Sequence, residues 1–443
     1  MSPTSKSAAY KMLRRQRVWK PAIQQTWKSA LRASAGSKVQ CAIQQTWKSA
    51  LRASAGSKVQ CVYLFGEFSP GERIKGEGGR KYSFHRKRRR SIFCMSEILQ
   101  RRGVKRLLIV GNPEEHHVGA HFLSAAKQLG LEASLVDVRE SHSRNIWVNR
   151  FFHRAWGRRP ADLGRFSRKL VASCRERKPQ MLLVTGISAP HADALKEIGG
   201  MGIHRANYLT DDPWNPANGA KFFWPALREY DVVWSPRRAN IEDLRRHGCQ
   251  RVEYLPFGYN PELHFPELPK TAEERERFEC DVTIIGGADA DRIPIALALA
   301  RMGLKLNLYG GYWDRETELK PFWHGFAYGR EFRLAVGGAR VNVCMGRKAN
   351  RDGHAMRSLE LPAMGACLVV EDTLEHRELF GEDSDCVEYY ASLEDLVAKV
   401  KSLCAQPERA RMLGSMAFQH ICRESYHAYA DRLRTMLGRV LNE

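Results

Sequence analysis

From Lys105 onward, short apolar runs alternate with amphipathic stretches, and this alternation limits the chain to parallel sheets covered by helices. Strands are expected at 107–110, 133–138, 181–185, 205–209, 232–234 and 252–255. Helices are expected between them at 120–129, 160–176, 217–229 and 239–247, where apolar residues recur at helical spacing. A charged segment with four prolines, 256–277, reads as a linker. A second α/β unit then begins, with strands at 280–285, 305–309, 341–344 and 366–370 and helices at 293–302, 331–335 and 355–364. The chain closes in helices at 393–405, 407–424 and 426–441. The fold class is therefore α/β, with two doubly wound Rossmann-like domains. The expected boundaries are an N-terminal domain over 101–260, a linker over 261–279, a C-terminal domain over 280–425 and a last helix over 426–443. At 443 residues there is enough chain for two substantial cores.

The formal charge of +22 suggests a polyanion until it is located. Residues 1–94 carry 21 Lys/Arg against three acids, Glu67, Glu72 and Glu77, whereas 95–443 carry 50 against 46. Basic character thus belongs to an extension over 1–100, expected to lack a core of its own. Within it, residues 22–41 recur letter for letter as 42–61. Two copies fall short of the three or more that a solenoid needs. The acid-free first 60 residues also have the composition of a transit peptide. The run HRKRRR at 85–90 is the place where nucleic acid or an anionic membrane could touch the chain, and Met95 could begin a shorter protein. No apolar run is long enough to span a membrane, and a cytoplasmic location is expected. Eleven cysteines stand singly without metal-ligand spacing, so no metal is expected.

Chemistry concentrates in NRDGHAMRSLELPAMG, residues 350–365. Asp352 stands in the loop eight positions before Glu360, and Arg357 lies three before Glu360, on the same helical face. A helix N-terminus and Arg357 offer positive charge to a diphosphate, and Glu360 can accept from a ribose diol. The same pattern also suits a solvated surface pair.

This segment resembles the E-x7-E signature of group 1 glycosyltransferases, with Asp352 in place of the first Glu. The ordered string, with Glu371–His376, Glu378-Leu379-Phe380, Ser392–Leu396 and Gln406–Arg409 behind it, is similar to the CgeB-like (spore-maturation) branch of those enzymes. The resemblance runs, more weakly, over about 104–440. It implies the GT-B architecture, a nucleotide-sugar donor held between two lobes, retention of anomeric configuration, and no metal–carboxylate motif. UDP- or GDP-linked sugars are the implied co-substrates, with no other cofactor. The acceptor, a glycan, protein or small molecule, is not specified.

Around that motif, Gly286 and Gly287 follow the first strand of the second unit and let backbone approach a phosphate, with Arg292 in the same loop. Lys348 and Arg351 precede Asp352 as further diphosphate contacts. Tyr309-Gly310-Gly311-Tyr312-Trp313 closes the next strand and could bring an aromatic to a nucleobase, or only plug a loop. On the first domain, His116 and His117 occupy the loop after the first strand, and Asp211 and Asp212 follow a later one. These are the acceptor-side candidates; solvent-facing histidines and a helix cap are the alternative readings. Arg292, Lys348, Asp352 and Arg357 are the catalytic candidates; Gly286, Gly287, Tyr309, Gly310, Arg351 and Glu360 are the donor-binding ones. A non-catalytic scaffold, or a sugar-nucleotide epimerase or hydrolase, is the competing reading on the same shell.

Overall fold

A computed structural model of the protein describes residues 105–381, 385–423 and 427–440, all within one compact unit, Ser83–Glu443. The duplicated segment, the HRKRRR run and Met95 lie outside the described residues. Six parallel strands form the first sheet: β1 (Arg106–Gly111), β2 (Glu132–Asp137), β3 (Met181–Thr185), β4 (His204–Tyr208), β5 (Val232–Ser235) and β6 (Val252–Tyr254), in the order β2-β1-β3-β4-β5-β6. Its central strands read as continuous apolar runs because helices cover both faces. Leu107, Leu108, Ile109 and Val110 are all buried, and each such side chain contributes roughly 1.5–3 kcal/mol by leaving water. Around them lie α1 (Val118–Gln128), α2 (Ile146–Ala155), α3 (Leu163–Arg177), α4 (Ala192–Gly200), α5 (Phe223–Leu227) and α6 (Arg238–Arg246).

The linker is more ordered than its prolines suggest. Its second half folds into α7 (Ala272–Phe278), begun by a reciprocal capping box between Thr271 and Glu274. The second sheet follows: β7 (Cys280–Ile285), β8 (Leu306–Tyr309), β9 (Ala339–Cys344), β10 (Leu368–Glu371) and β11 (Glu388–Tyr390), all parallel in the order β11-β10-β9-β7-β8. Its helices are α8 (Arg292–Ala300), α9 (Gly329–Gly338), α10 (Arg357–Ala363), α11 (Leu374–Phe380), α12 (Leu393–Ala405) and α13 (Pro407–Cys422). The final helix, α14 (Tyr429–Val440), returns to the first lobe and packs on α1, where Tyr429 stacks on His121. Arg432 on the same helix donates to the Phe257 carbonyl at 3.1 Å, tying the chain end to the linker.

Differences from the sequence expectation are local. The helix expected over 217–229 shrinks to α5, because Asn215 accepts from Ala217 N–H and holds the preceding stretch in turns. Helices α2, α4 and α11 and strand β11 were not anticipated. α11 has its signal in Thr373, whose hydroxyl accepts the His376 N–H.

Candidate functional site at the lobe junction

In an open parallel sheet, ligands lie beyond the carboxyl ends of strands where the winding direction reverses. In the second sheet that point falls between β7 and β9, so the loops 286–291 and 345–356 line it. Gly310 at the end of β8 has φ +126°, and a Cβ there would stand 2.6 Å from backbone atoms of Gly286, so the two strand ends meet only through glycine. Arg292, the first residue of α8, bridges both loops. It donates to the Gly287 carbonyl at 3.0 Å, to Asp289 at 3.1 Å and to the Met345 carbonyl at 3.5 Å. Burial lowers its pKa, with Asp289 opposing. Asp289 also accepts the Arg292 and Asp291 backbone N–H groups, so a carboxylate already sits at the start of α8.

Glu360 is 1 % exposed, on the first turn of α10. Three elements surround its carboxylate: Arg357 of the same helix pairs with it, His264 Nε2 of the linker lies at 3.8 Å, and His121 Nε2 of α1 at 4.0 Å. Burial pushes the Glu360 carboxyl up, but Arg357, His264 and His121 outweigh it and hold it below the ordinary carboxylate range. Burial drives His121 down to about 3, so it is neutral, and neither ring nitrogen has a hydrogen-bond partner among the described residues. A short relay fixes α10 itself. Ser358 Oγ accepts the Ala355 N–H and lies 2.8 Å from His376 Nε2, and His376 Nδ1 donates to the Glu371 carbonyl at 2.7 Å.

Beside Glu360 lies a small cavity of about 20 Å³, open to solvent on one side. Glu115 and His116 of the first lobe, Leu263 and His264 of the linker, and Tyr328, Phe332, Arg357 and Glu360 of the second lobe wall it. His116 stacks on Tyr328 with ring centroids 4.4 Å apart, closing one side across the lobes, and Arg357 lies 4.5 Å over the Phe332 ring.

Eight residues before Glu360 the same motif does something else. Asn350 is buried and accepts from Asn215 Nδ2 at 2.6 Å and Asn218 Nδ2 at 2.8 Å. Arg351, with φ +51°, donates twice to Asp212 at 2.6 and 3.1 Å and once to Asp243 at 2.6 Å. Asp352 pairs with the buried Arg237, which also donates to the Thr210 carbonyl at 2.7 Å, and accepts the Arg347 N–H at 2.9 Å. Next to them His354 Nδ1 meets Glu375 at 2.5 Å, and Glu375 accepts the Arg238 N–H at 3.0 Å. Residues 350–354 thus latch the second lobe onto the first.

Several expectations therefore need correction. Arg351 and Asp212 were read as ligand contacts, but they bind each other, and Asp212 also accepts from Trp214 N–H and Asn240 Nδ2. Asp211 accepts from Thr210 Oγ1 at 3.0 Å and faces Asn350 Nδ2 at 3.4 Å, within the same latch. Both oxygens of Asp352 are engaged. The Tyr309 ring and Trp313 are buried, the latter donating to the Gly286 carbonyl at 2.8 Å; Trp313 is the plug beneath the loop. The helix expected at 355–364 is only the seven residues of α10, and the Ser358 and Leu359 N–H groups of its first turn already bond the Ala355 and Met356 carbonyls. His117 is half-buried with its pKa lowered by burial, and lies with His116 at 3.6 Å from Glu114. Lys348 stays exposed at the rim, near enough to oppose the upward effect of burial on Glu371.

Sequence reasoning missed His121, His264, Arg237 and His354. A lone histidine on an apolar helix face gives no signal, and the partners lie across the fold. Two groups of three ligand-type side chains come within 4.8 Å among the described residues, Glu114/His116/His117 and His121/His264/Glu360, although the spacing gave none. The buried group does not fit a cation. His264 Nδ1 accepts the Asn260 N–H at 3.0 Å, which leaves the ring proton on Nε2, facing Glu360. That ring is set to donate, not to ligate.

A family model described as glycosyl transferase-like matches residues 292–438. No curated protein matches the chain. Among solved structures, a glycosyltransferase from Rickettsia africae is 10% identical with a TM-score of 0.51, covering 76% of this chain and 98% of its own. A UDP-forming α,α-trehalose-phosphate synthase from Burkholderia xenovorans is 12% identical with a TM-score of 0.51, covering 76% and 99%. A trehalose-6-phosphate synthase studied for glycosyl transfer with retention is 12% identical, also with a TM-score of 0.51, covering 75% and 99%. The described residues have the GT-B fold, and the segment carrying Arg292, Asp352 and Glu360 is glycosyltransferase-like.

Proposed function

We propose that this chain moves a sugar from a nucleoside-diphosphate donor, UDP- or GDP-linked, to a hydroxyl acceptor. One observation carries the reading: an ionised, almost fully buried carboxylate, Glu360, at the lobe junction beside a pocket with aromatic walls. A ribose diol donates two charge-assisted hydrogen bonds to such a group. Arg292 at the switch point, the exposed Lys348 and Arg357 are the cations assigned to the diphosphate. In transfer, the C1–O bond to the diphosphate breaks and its electron pair stays on the phosphate oxygen. The acceptor oxygen bonds C1, and its proton leaves with the diphosphate. Stabilising that departing charge contributes about 2–4 kcal/mol per well-placed donor. Arg292 must first give up part of its hold on Asp289.

The finer reading is retention of configuration without a metal, in the cytoplasm, by a hexosyltransferase of the CgeB-like branch. The Asn350–Gly365 string supports the branch, and likeness to a synthase studied for transfer with retention supports the stereochemistry. Substituting Glu360→Gln keeps the shape and removes the charge. Nucleotide affinity, followed by calorimetry with UDP and GDP, should fall about 10–100-fold, the value of a hydrogen bond to a charged group. Equal affinity in a folded variant defeats the assignment.

A further inference from the structure

Helix α2 is unlike every other helix in the first lobe, because none of its residues is buried. Residues 142–161 leave the fold after β2 and return at once, since the Asp162 N–H donates to the Ser141 carbonyl at 2.8 Å and closes the base of the excursion. The excursion leaves from the carboxyl end of the edge strand β2, the side of the sheet that bears the lobe-junction loops. Along it Trp147 is 70%, Phe151 60% and Ile146 59% exposed, and Trp156 is exposed beside them. Phe152 stacks on Trp156 at 4.9 Å and Arg150 lies 5.1 Å over Trp147, so the aromatic face is braced outward. Exposed apolar patches of this kind mark an interaction surface.

Charge narrows the partner. Residues 141–161 contain five arginines, Arg144, Arg150, Arg154, Arg158 and Arg159, and no acid. Trp147 and Phe151 share one flank of the outward face, and Arg150 and Arg154 the other, by their spacing along the helix. Nucleic acid would use the arginines but leave the aliphatic Ile146 and Val148 in water. A second copy of the chain would meet five like charges with five like charges. We infer that α2 lies in the interface of an anionic membrane, its aromatic flank among the acyl chains and its arginines against lipid phosphates. No described helix is long and apolar enough to cross a membrane, so this contact is peripheral.

The test is co-sedimentation of the full chain with phosphatidylcholine vesicles carrying a quarter phosphatidylglycerol, beside pure phosphatidylcholine vesicles. The parent should bind the anionic vesicles and bind the neutral ones at least about tenfold more weakly. Because the altered side chains are exposed, Trp147→Ser/Phe151→Ser should keep its melting temperature, yet lose about tenfold or more in partitioning. Undiminished binding by that double variant assigns any lipid contact to another part of the chain and overturns the proposal. Two further outcomes overturn it: no vesicle binding by the parent alongside a concentration-dependent dimer that the variant abolishes, or tight binding to duplex DNA that the variant abolishes while vesicle binding persists.

Discussion

Asp352 and Glu360 belong to one motif and stand eight residues apart, yet they sit in opposite environments. At Asp352 both carboxylate oxygens have partners, the Arg237 guanidinium and the Arg347 N–H, and beside it stand the Asn350 and Arg351 pairs to the first lobe. At Glu360 the carboxylate is more deeply buried, but His121 beside it has no hydrogen bond among the described residues and a small cavity lies alongside. A buried polar group left unpaired costs about 1–3 kcal/mol, a cost that the Asp352 side chain does not carry. Complete pairing marks the mechanical half of the motif; incomplete pairing marks the half proposed above to receive the donor.

Removing a partner from the paired half gives the largest expected effect. Arg237→Ala leaves Asp352 buried and charged, and breaking a buried pair from one side costs about 3–5 kcal/mol. Urea unfolding should show that loss. A change below about 1 kcal/mol would mean that the Asp352 loop already swings free, and the contrast drawn above would collapse.

The unpaired half predicts a smaller, pH-dependent effect. In the unfolded chain His121 titrates near its ordinary value of 6.5, and in the fold only at about 3. Below pH 6.5 the unfolded state therefore takes up a proton that the native state refuses, and stability falls with falling pH at up to about 1.4 kcal/mol per unit. Phenylalanine at 121 keeps the stack on Tyr429 and removes the titration. Between pH 7 and pH 5 the parent should lose on the order of 2 kcal/mol more than His121→Phe, read from urea midpoints at each pH. Parallel losses would mean that the ring is not held neutral by its surroundings.

How much of this was legible beforehand follows the range of the signals. β3, β7 and α12 lie at their expected bounds because each is a run of local apolar periodicity with clear punctuation. Arg292 and Glu360 stand out in the sequence because a Gly pair after a strand and an Arg-x-x-Glu spacing are also local. The latch was not legible: nothing near Arg351 in sequence points to Asp212, 139 residues away, or to Asp243. Its charge read as phosphate-binding because the loop follows a strand end, where either use is physically open. His121 was invisible for the opposite reason, since burial makes a helix-face histidine look like core. The exposed α2 escaped because its apolar spacing promises a buried face that the fold does not bury.

The outer rim of the latch offers the finest test of the contrast. Arg351 is about two-fifths exposed, so solvent screens its pairs with Asp212 and Asp243. A double-mutant cycle of Arg351→Ala with Asp212→Asn should return a coupling of about 1 kcal/mol, shrinking as salt rises from 0.1 to 0.5 M. A pair that serves only to hold the lobes together should leave nucleotide affinity within about twofold when Arg351 is removed. A loss of tenfold or more would return Arg351 to the diphosphate. It would also show that the paired half of the motif exchanges its partners for ligand, which would merge the two regions into one site.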